Sequence, residues 1–367
     1  MTSALTAYID RSSPLSDVEP STSFLPSPGF YTLPMAVARL LYTLIKIRGP
    51  KIISRFFPNQ PSLLEPVTSL FSMPTTGVNE MWELRYVLLL WLSHLLLAPF
   101  DLSTISTDPP PGTVHDFSPL DGLKVHGLPY LSKRVLALGI AYLSSSGNRE
   151  SDAAALLLIR ISLRRDMRSL GLLDAMVDWG IGIVSKTTND ITEENRSLFL
   201  KTGVLAVLAG FLAQGDSSSV QQYVVQIFDL VTQLQVLEEW TSAGVRRLGM
   251  KIYRWVAILT LAQPREEYYV EEIIERLLNA LGDRDTAVRF GASKSLAVVA
   301  RKLDPDMAGD VLEAVMSVYE EDIFFDPPIP KPGQRQVKVL TAVTPERWHG
   351  ATLTSLPARP CRRFYAG

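Results

Sequence analysis

The chain has 367 residues, more than one small core usually holds, and this points to several domains or an elongated repeat array. Hydrophobic residues make up 47% and the net charge is -2, so most of the chain should fold, and no global charge draws it to nucleic acid or anionic lipid. The single cysteine, Cys361, rules out a disulfide framework or a multi-cysteine metal site within this sequence and fits a reducing compartment.

Residues 1–34 read as a flexible lead, punctuated by Pro14, Pro20, Pro26, Pro28 and Pro34. They lack the basic start and apolar core of a signal peptide. From Met35 the pattern changes. Val37, Leu40, Leu41, Leu44 and Ile45 form an apolar stripe at helical spacing, and Gly49-Pro50 stops it. A short helix is predicted over 61–72, opened by Pro61, and a longer one over 79–98, ended by Pro99. Its core, Tyr86 to Phe100, is the most apolar stretch. It falls short of the roughly 20 apolar residues of a bilayer span and reads as a buried helix.

Residues 101–119 contain Asp108-Pro109-Pro110-Pro111-Gly112 and are predicted to be a loop. Helices are then predicted over 120–144, 149–163, 166–187, 192–213, 218–238, 241–262, 268–281, 285–303 and 306–320. No sustained period-two alternation is present, so no sheet is expected. The expectation is an all-α fold: a HEAT/armadillo-like α-solenoid of stacked antiparallel helix pairs over 35–322, at about 40 residues per pair. An ordinary helical bundle is the alternative. Residues 323–367 are expected to be a Pro-rich, irregular tail, with Asp326-Pro327-Pro328-Ile329-Pro330 barring a helix, and the chain to be truncated there.

The sharpest repeat unit is Asp285 to Ala300. Val288, Ala292 and Leu296 share a face at i, i+4, i+8. Asp285 is placed to cap the helix with its carboxylate, and Arg289 to pair with Asp285 or with an acid of a neighbouring repeat.

No site of known chemistry emerges. Gly244 to Gly249 lacks the Lys-Ser/Thr of a phosphate loop, and Gly180-Ile181-Gly182 lacks the third glycine of a dinucleotide fingerprint. His94, His115, His126 and His349 have no helical metal partner. His94 is expected to be a hydrogen-bonded core residue, and His115 and His126 to be solvated. No Gly-x-Ser-x-Gly elbow occurs, and Cys361 is isolated. Catalytic, cofactor-binding and metal residues are therefore all expected to be absent, and a protein-binding surface is left unassigned. The sequon Asn195-Arg196-Ser197 is expected to stay unmodified without a secretory leader.

Two basic clusters remain. Arg160, Arg164 and Arg168 share a face if their helix is continuous, with Arg165 and Asp166 beside them. Arg246, Arg247, Lys251 and Arg254 form the second. Each reads either as a docking patch for an acidic protein surface or as a solvated face or inter-repeat ion-pair ladder. Trp82, Trp91, Trp179, Trp240, Trp255 and Trp348 sit among apolar helical positions and read as core.

Five blocks resemble one family. They are Tyr42 to Gly49 with Leu63-Leu64-Glu65-Pro66-Val67; Trp82 to Ser93 running into Ala98-Pro99-Phe100-Asp101-Leu102; Leu163-Arg164-Arg165-Asp166-Met167 with Leu170 to Leu173; Val288-Arg289-Phe290-Gly291-Ala292-Ser293-Lys294; and Pro345-Glu346-Arg347-Trp348-His349-Gly350. In this order they resemble the N-terminal part of tubulin-specific chaperone D, also called tubulin-folding cofactor D, in a fungal-like form, over about residues 37–353. The resemblance implies a cytoplasmic, non-enzymatic chaperone of the microtubule cytoskeleton that binds β-tubulin. It further implies support of α/β-tubulin heterodimer assembly with cofactors C and E, contact with an Arf-like small GTPase, and a GTPase-activator role within that complex. A generic HEAT-repeat scaffold and an all-α enzyme are the competing readings.

Overall fold

The computed structural model describes residues 33–71, 82–107, 117–145, 149–186, 191–235, 240, 242–262, 267–321, 323–326, 339–342 and 345–355. The helices in chain order are α1 (Leu33–Arg48), α2 (Pro50–Ile53), α3 (Leu64–Leu70), α4 (Trp82–Leu95), α5 (Leu102–Ile105), α6 (Tyr130–Leu143), α7 (Glu150–Ser162), α8 (Arg165–Ser169), α9 (Leu172–Val184), α10 (Ile191–Gln214), α11 (Ser217–Val220), α12 (Val224–Leu234), α13 (Ala243–Thr260), α14 (Glu267–Asn279), α15 (Thr286–Ala300), α16 (Pro305–Glu321) and α17 (Pro345–Ser355). Between α16 and α17, β1 (Ile323–Asp326) pairs antiparallel with β2 (Val339–Ala342), Ile323 opposite Ala342. The architecture is all-α with armadillo-like helical repeats, and this two-stranded ladder is the departure from it among the described residues.

The chain divides into two compact units, Met1–Phe211 and Leu212–Gly367. In the first, α4 is the central element. Val87, Leu89, Trp91, Leu92 and Leu95 have no exposed surface, which follows from a sequence apolar on every face rather than on one stripe. α1 packs on α4, with Tyr42 edge-on to Trp82 and Tyr86 at 4.8 and 5.5 Å. On another side of α4 lies α7, where Arg85 and Glu150 form a buried ion pair, and α7 also packs on α6. The Trp91 indole N–H donates to the Pro58 carbonyl at 2.8 Å, fixing the segment between α2 and α3 against this core. Burial pushes the Tyr86 phenol up to about 12.

In the second unit α13 packs against α12, α14 and α15. Its Val245, Ile252, Val256 and Leu259 are buried, as are Val224, Ile227, Phe228 and Val231 of α12. The Ser295 hydroxyl of α15 donates to the Met250 carbonyl of α13 at 2.9 Å. On α15, Val288, Ala292 and Leu296 are buried together, as their i, i+4, i+8 spacing requires.

Several boundaries differ from the sequence expectation, each for a local reason. Residues 121–129 are not helical: Gly122 and Gly127 have positive φ, and α6 begins only after Pro129. The stretch expected as 166–187 is two helices, because Gly171 adopts a left-handed φ of 76° between α8 and α9. α7 ends at Ser162, so Arg160, Arg164 and Arg168 do not share one continuous helix. The expected loop 101–119 contains α5, which precedes the proline run; that run, residues 108–116, lies outside the described residues. The tail expected to be irregular holds β1, β2 and α17, while residues 327–338 and 356–367 lie outside the described part.

Candidate functional site

The basic clusters singled out in the sequence resolve into two arginine-centred junctions, one in each unit. In the first unit, Arg164 sits just before α8 and reaches back to the C-terminal end of α4. Its Nη1 donates to the carbonyls of Leu96 and Ala98, the latter at 2.9 Å, and its Nη2 to that of Phe100. These are carbonyls that a helix end and the chain leaving it leave without intrahelical partners. The Asp166 carboxylate accepts from Arg164 Nε at 3.0 Å and from the Leu102 N–H at 2.8 Å. Burial raises the carboxyl pKa of Asp166, but the Leu102 N–H and the Arg164 guanidinium outweigh it and hold the group below its ordinary range.

Arg160 donates to the Ser93 hydroxyl at 3.0 Å, and burial holds its pKa below the usual guanidinium value. The imidazole of His94 is half-buried; burial, then Arg160, lower its pKa. The first cluster is thus largely a structural junction, with Arg165 exposed at its edge.

In the second unit, Arg246 of α13 binds the turn before α15. Its Nε and Nη2 grip the Asp283 carboxylate at 2.7 and 3.0 Å, Nη2 also reaches Asp285, and Nη1 donates to the Trp240 carbonyl at 2.8 Å. The two-pronged hydrogen bond to Asp283 is the main reason the Arg246 pKa is raised. Asp285 occupies the N-cap position, but its carboxylate makes no cap hydrogen bond and turns to Arg246 instead. Arg289 does not pair with Asp285. Its Nη1 donates to the Asp283 and Arg284 carbonyls, Nη2 to the Thr286 hydroxyl, and Nε to Nδ1 of His349 at 2.9 Å.

Beside this junction lies a groove of about 710 Å³. Trp240, Arg246, Met250, Glu272, Glu275, Arg276, Asn279 and Asp283 are among its lining residues. Arg276 pairs with Glu272 and Gln235 and lies over the Tyr253 ring at 5.9 Å. Burial opposes the charge on Arg276, and the Glu272 hydrogen bond restores it, so its pKa is raised. Among the described residues its lining offers charge, amides and an indole. Among the described residues no group of three or more His, Cys, Asp or Glu could hold a metal, and no helix is long and apolar enough to cross a membrane.

The sequence reading placed His126 in solvent, and it is exposed; His115 lies outside the described residues. Of the tryptophans, Trp91 is fully buried, whereas Trp240 lines the groove. The groove itself was missed. Glu272 and Arg276 at i, i+4 are an ordinary helical pair in sequence, and only the fold sets them opposite Arg246.

The five sequence blocks meet in pairs: the first with the second through Tyr42, the second with the third through Arg164, and the fourth with the fifth through Arg289 and His349. Two family models match the stretches that hold the first four blocks. Tubulin-specific chaperone D-like, ARM repeat, matches residues 23–184, and Tubulin-specific chaperone D-like, ARM repeats, matches residues 260–323. The chain belongs to the tubulin-specific chaperone D-like family. A curated relative, Tubulin-folding cofactor D of Schizosaccharomyces pombe (strain 972 / ATCC 24843), is 26% identical over 345 residues, or 87% of this chain. The chain spans about a quarter of that relative's length, 27%.

Proposed function

We propose that this chain is a client-gripping segment of a tubulin-folding cofactor, with β-tubulin as the client, and acts without chemistry of its own. The observation that carries this reading is the likeness to Tubulin-folding cofactor D along nearly the whole chain. The physical character of the two junctions supports it. Their charged groups hold helix ends and inter-helix turns in place, so the arginines serve the scaffold, and the groove beside Arg246 offers polar contacts to a protein surface. Stacked helical repeats suit a large folded client because they present an extended face rather than a pocket. Support of α/β-tubulin heterodimer assembly with cofactors C and E, engagement of an Arf-like small GTPase, a GTPase-activating role within that complex and a cytoplasmic location belong to the same proposal, as the family resemblance implies them.

The test is retention on the immobilised full chain. Purified β-tubulin, α-tubulin and actin are applied separately at matched concentration. Selective retention of β-tubulin is expected. Equal retention of all three would favour a generic repeat scaffold, and retention of none would sink the client assignment.

A further inference from the structure

Residues 33–64 contain Arg39, Lys46, Arg48, Lys51 and Arg55 and no Asp or Glu, in a chain whose net charge is -2. This locally basic segment is α1 and the turns after it. α1 buries Met35, Val37, Ala38, Leu41 and Ile45, and it packs on α4. It also carries a second apolar stripe. Leu33, Leu40 and Ile47 recur every seven residues, Leu44 lies one turn from Leu40, and these four are 66%, 54%, 72% and 39% exposed in that order. Just beyond, Phe56 is 71% exposed. Single exposed leucines are ordinary, but four aligned on a 16-residue helix form a contiguous apolar strip.

The cations around the strip are largely uncommitted. Arg39 pairs with Glu83, and Lys46 lies over the Tyr42 ring at 5.8 Å. Arg48, Lys51 and Arg55 are exposed and have no carboxylate partner among the described residues. What covers the strip must therefore be apolar along a line and acidic beside it.

Three occupants meet the apolar requirement, and charge and width separate them. A second copy of α1 would set like charges against each other along the whole contact, which is unfavourable. A bilayer interface takes a broad apolar face. At 100° per residue this strip is only about 60° wide, the width of a coiled-coil seam rather than of a surface-lying helix. Ala36 and Thr43 border the strip along one edge, leaving room there for a neighbouring helix. We infer that α1 is a docking seam for an amphipathic helix of a partner protein, with apolar residues at heptad spacing and Glu or Asp on its flanks. The partner helix would bury Leu40, Leu44 and Ile47 and neutralise Lys46, Arg48 and Lys51. This inference stands apart from the tubulin reading and names a chemistry rather than a protein.

The test uses the full chain and a synthetic helix with Leu at the a and d positions and Glu at e and g, measured by fluorescence anisotropy. Leu40→Glu with Leu44→Glu changes two exposed residues, so the melting temperature should stay at the parent value. Affinity should fall at least about tenfold, as expected when two buried leucines are lost from a contact. Charge reversal by Lys46→Glu, Arg48→Glu and Lys51→Glu should weaken the Glu-flanked helix similarly and create binding to a Lys-flanked version. Phosphatidylserine–phosphatidylcholine vesicles and sedimentation of the chain alone complete the set. Capture by the vesicles but not by the peptide, self-association that the leucine changes abolish, or equal affinity of parent and variants would each overturn the inference.

Discussion

Replacing Arg164 by alanine should be the most damaging single change in the first unit. The guanidinium serves three carbonyls, of Leu96, Ala98 and Phe100, and the Asp166 carboxylate, and Arg164 and Asp166 side chains are only 10% and 11% exposed. Its loss strands a nearly buried carboxylate and the carbonyls that follow α4. Breaking a buried pair by removing one partner costs about 3–5 kcal/mol, because the remaining charge is left uncompensated. The Phe100 carbonyl is exposed and water can take over that bond, so we place Arg164→Ala at the lower half of that range, about 3 kcal/mol. Arg164→Lys keeps the charge but not the planar fork, and should recover only part of the loss. Because the chain has two units, a single unfolding midpoint would mix them. Native-state hydrogen exchange on peptides spanning 96–102 and 163–170 isolates the junction. Asp166→Asn should be strongly non-additive with Arg164→Ala, since either change breaks the same junction. Opening free energies within about 0.5 kcal/mol of the parent for Arg164→Ala, or strictly additive losses in the double variant, would refute the junction as a stabilising unit.

The other predictions concern two further contacts and the pH dependence of Asp166. Glu150→Ala should cost about 3–5 kcal/mol by leaving the buried Arg85 unpaired, whereas the double change to Arg85→Met and Glu150→Leu should come within about 1 kcal/mol of the parent in urea unfolding followed at Trp91. Gly350→Ala would place a methyl 2.0 Å from the Leu281 carbonyl oxygen, which is backbone and cannot swing aside; α17 should lose hydrogen-exchange protection at 345–355 while the first unit keeps its own. The Asp166 pKa is depressed by folding, so its stabilisation is full above the unfolded value of about 3.9 and disappears as pH falls through the folded value. Native-state hydrogen exchange of peptides 96–102 and 163–170 at pH 6 and pH 3 should therefore show a smaller acid-induced drop in opening free energy for Asp166→Asn than for the parent, and an equal drop would sink that assignment.

What the sequence made legible follows from what kind of signal each element carries. The α15 stripe was readable because Val288, Ala292 and Leu296 satisfy a helical period that any packed neighbour would reward. The break at Gly171 was not, because Leu170 to Leu173 continues the apolar pattern and only the left-handed φ of the glycine reveals the turn. The sequence places Asp285 as a helix cap and leaves Arg289 to pair either with Asp285, four residues away, or with an acid of a neighbouring repeat. The fold sends each elsewhere, Asp285 to Arg246 and Arg289 to the turn carbonyls and His349. Local spacing specifies which partners are possible; a neighbouring helix supplying a better-placed charge decides among them. The same argument explains the basic clusters. Arg164 and Arg246 leave a docking patch, a solvated face and an inter-repeat ladder all open in sequence, which shows cations next to cations; of their seven acceptors, five lie 37 to 68 residues away and four are backbone carbonyls that no composition rule counts. Arg48, Lys51 and Arg55, by contrast, are exposed beside the Leu40, Leu44 and Ile47 strip. Cations already spent on closing helix ends cannot recruit a partner, so the ones left over are where recognition should be sought.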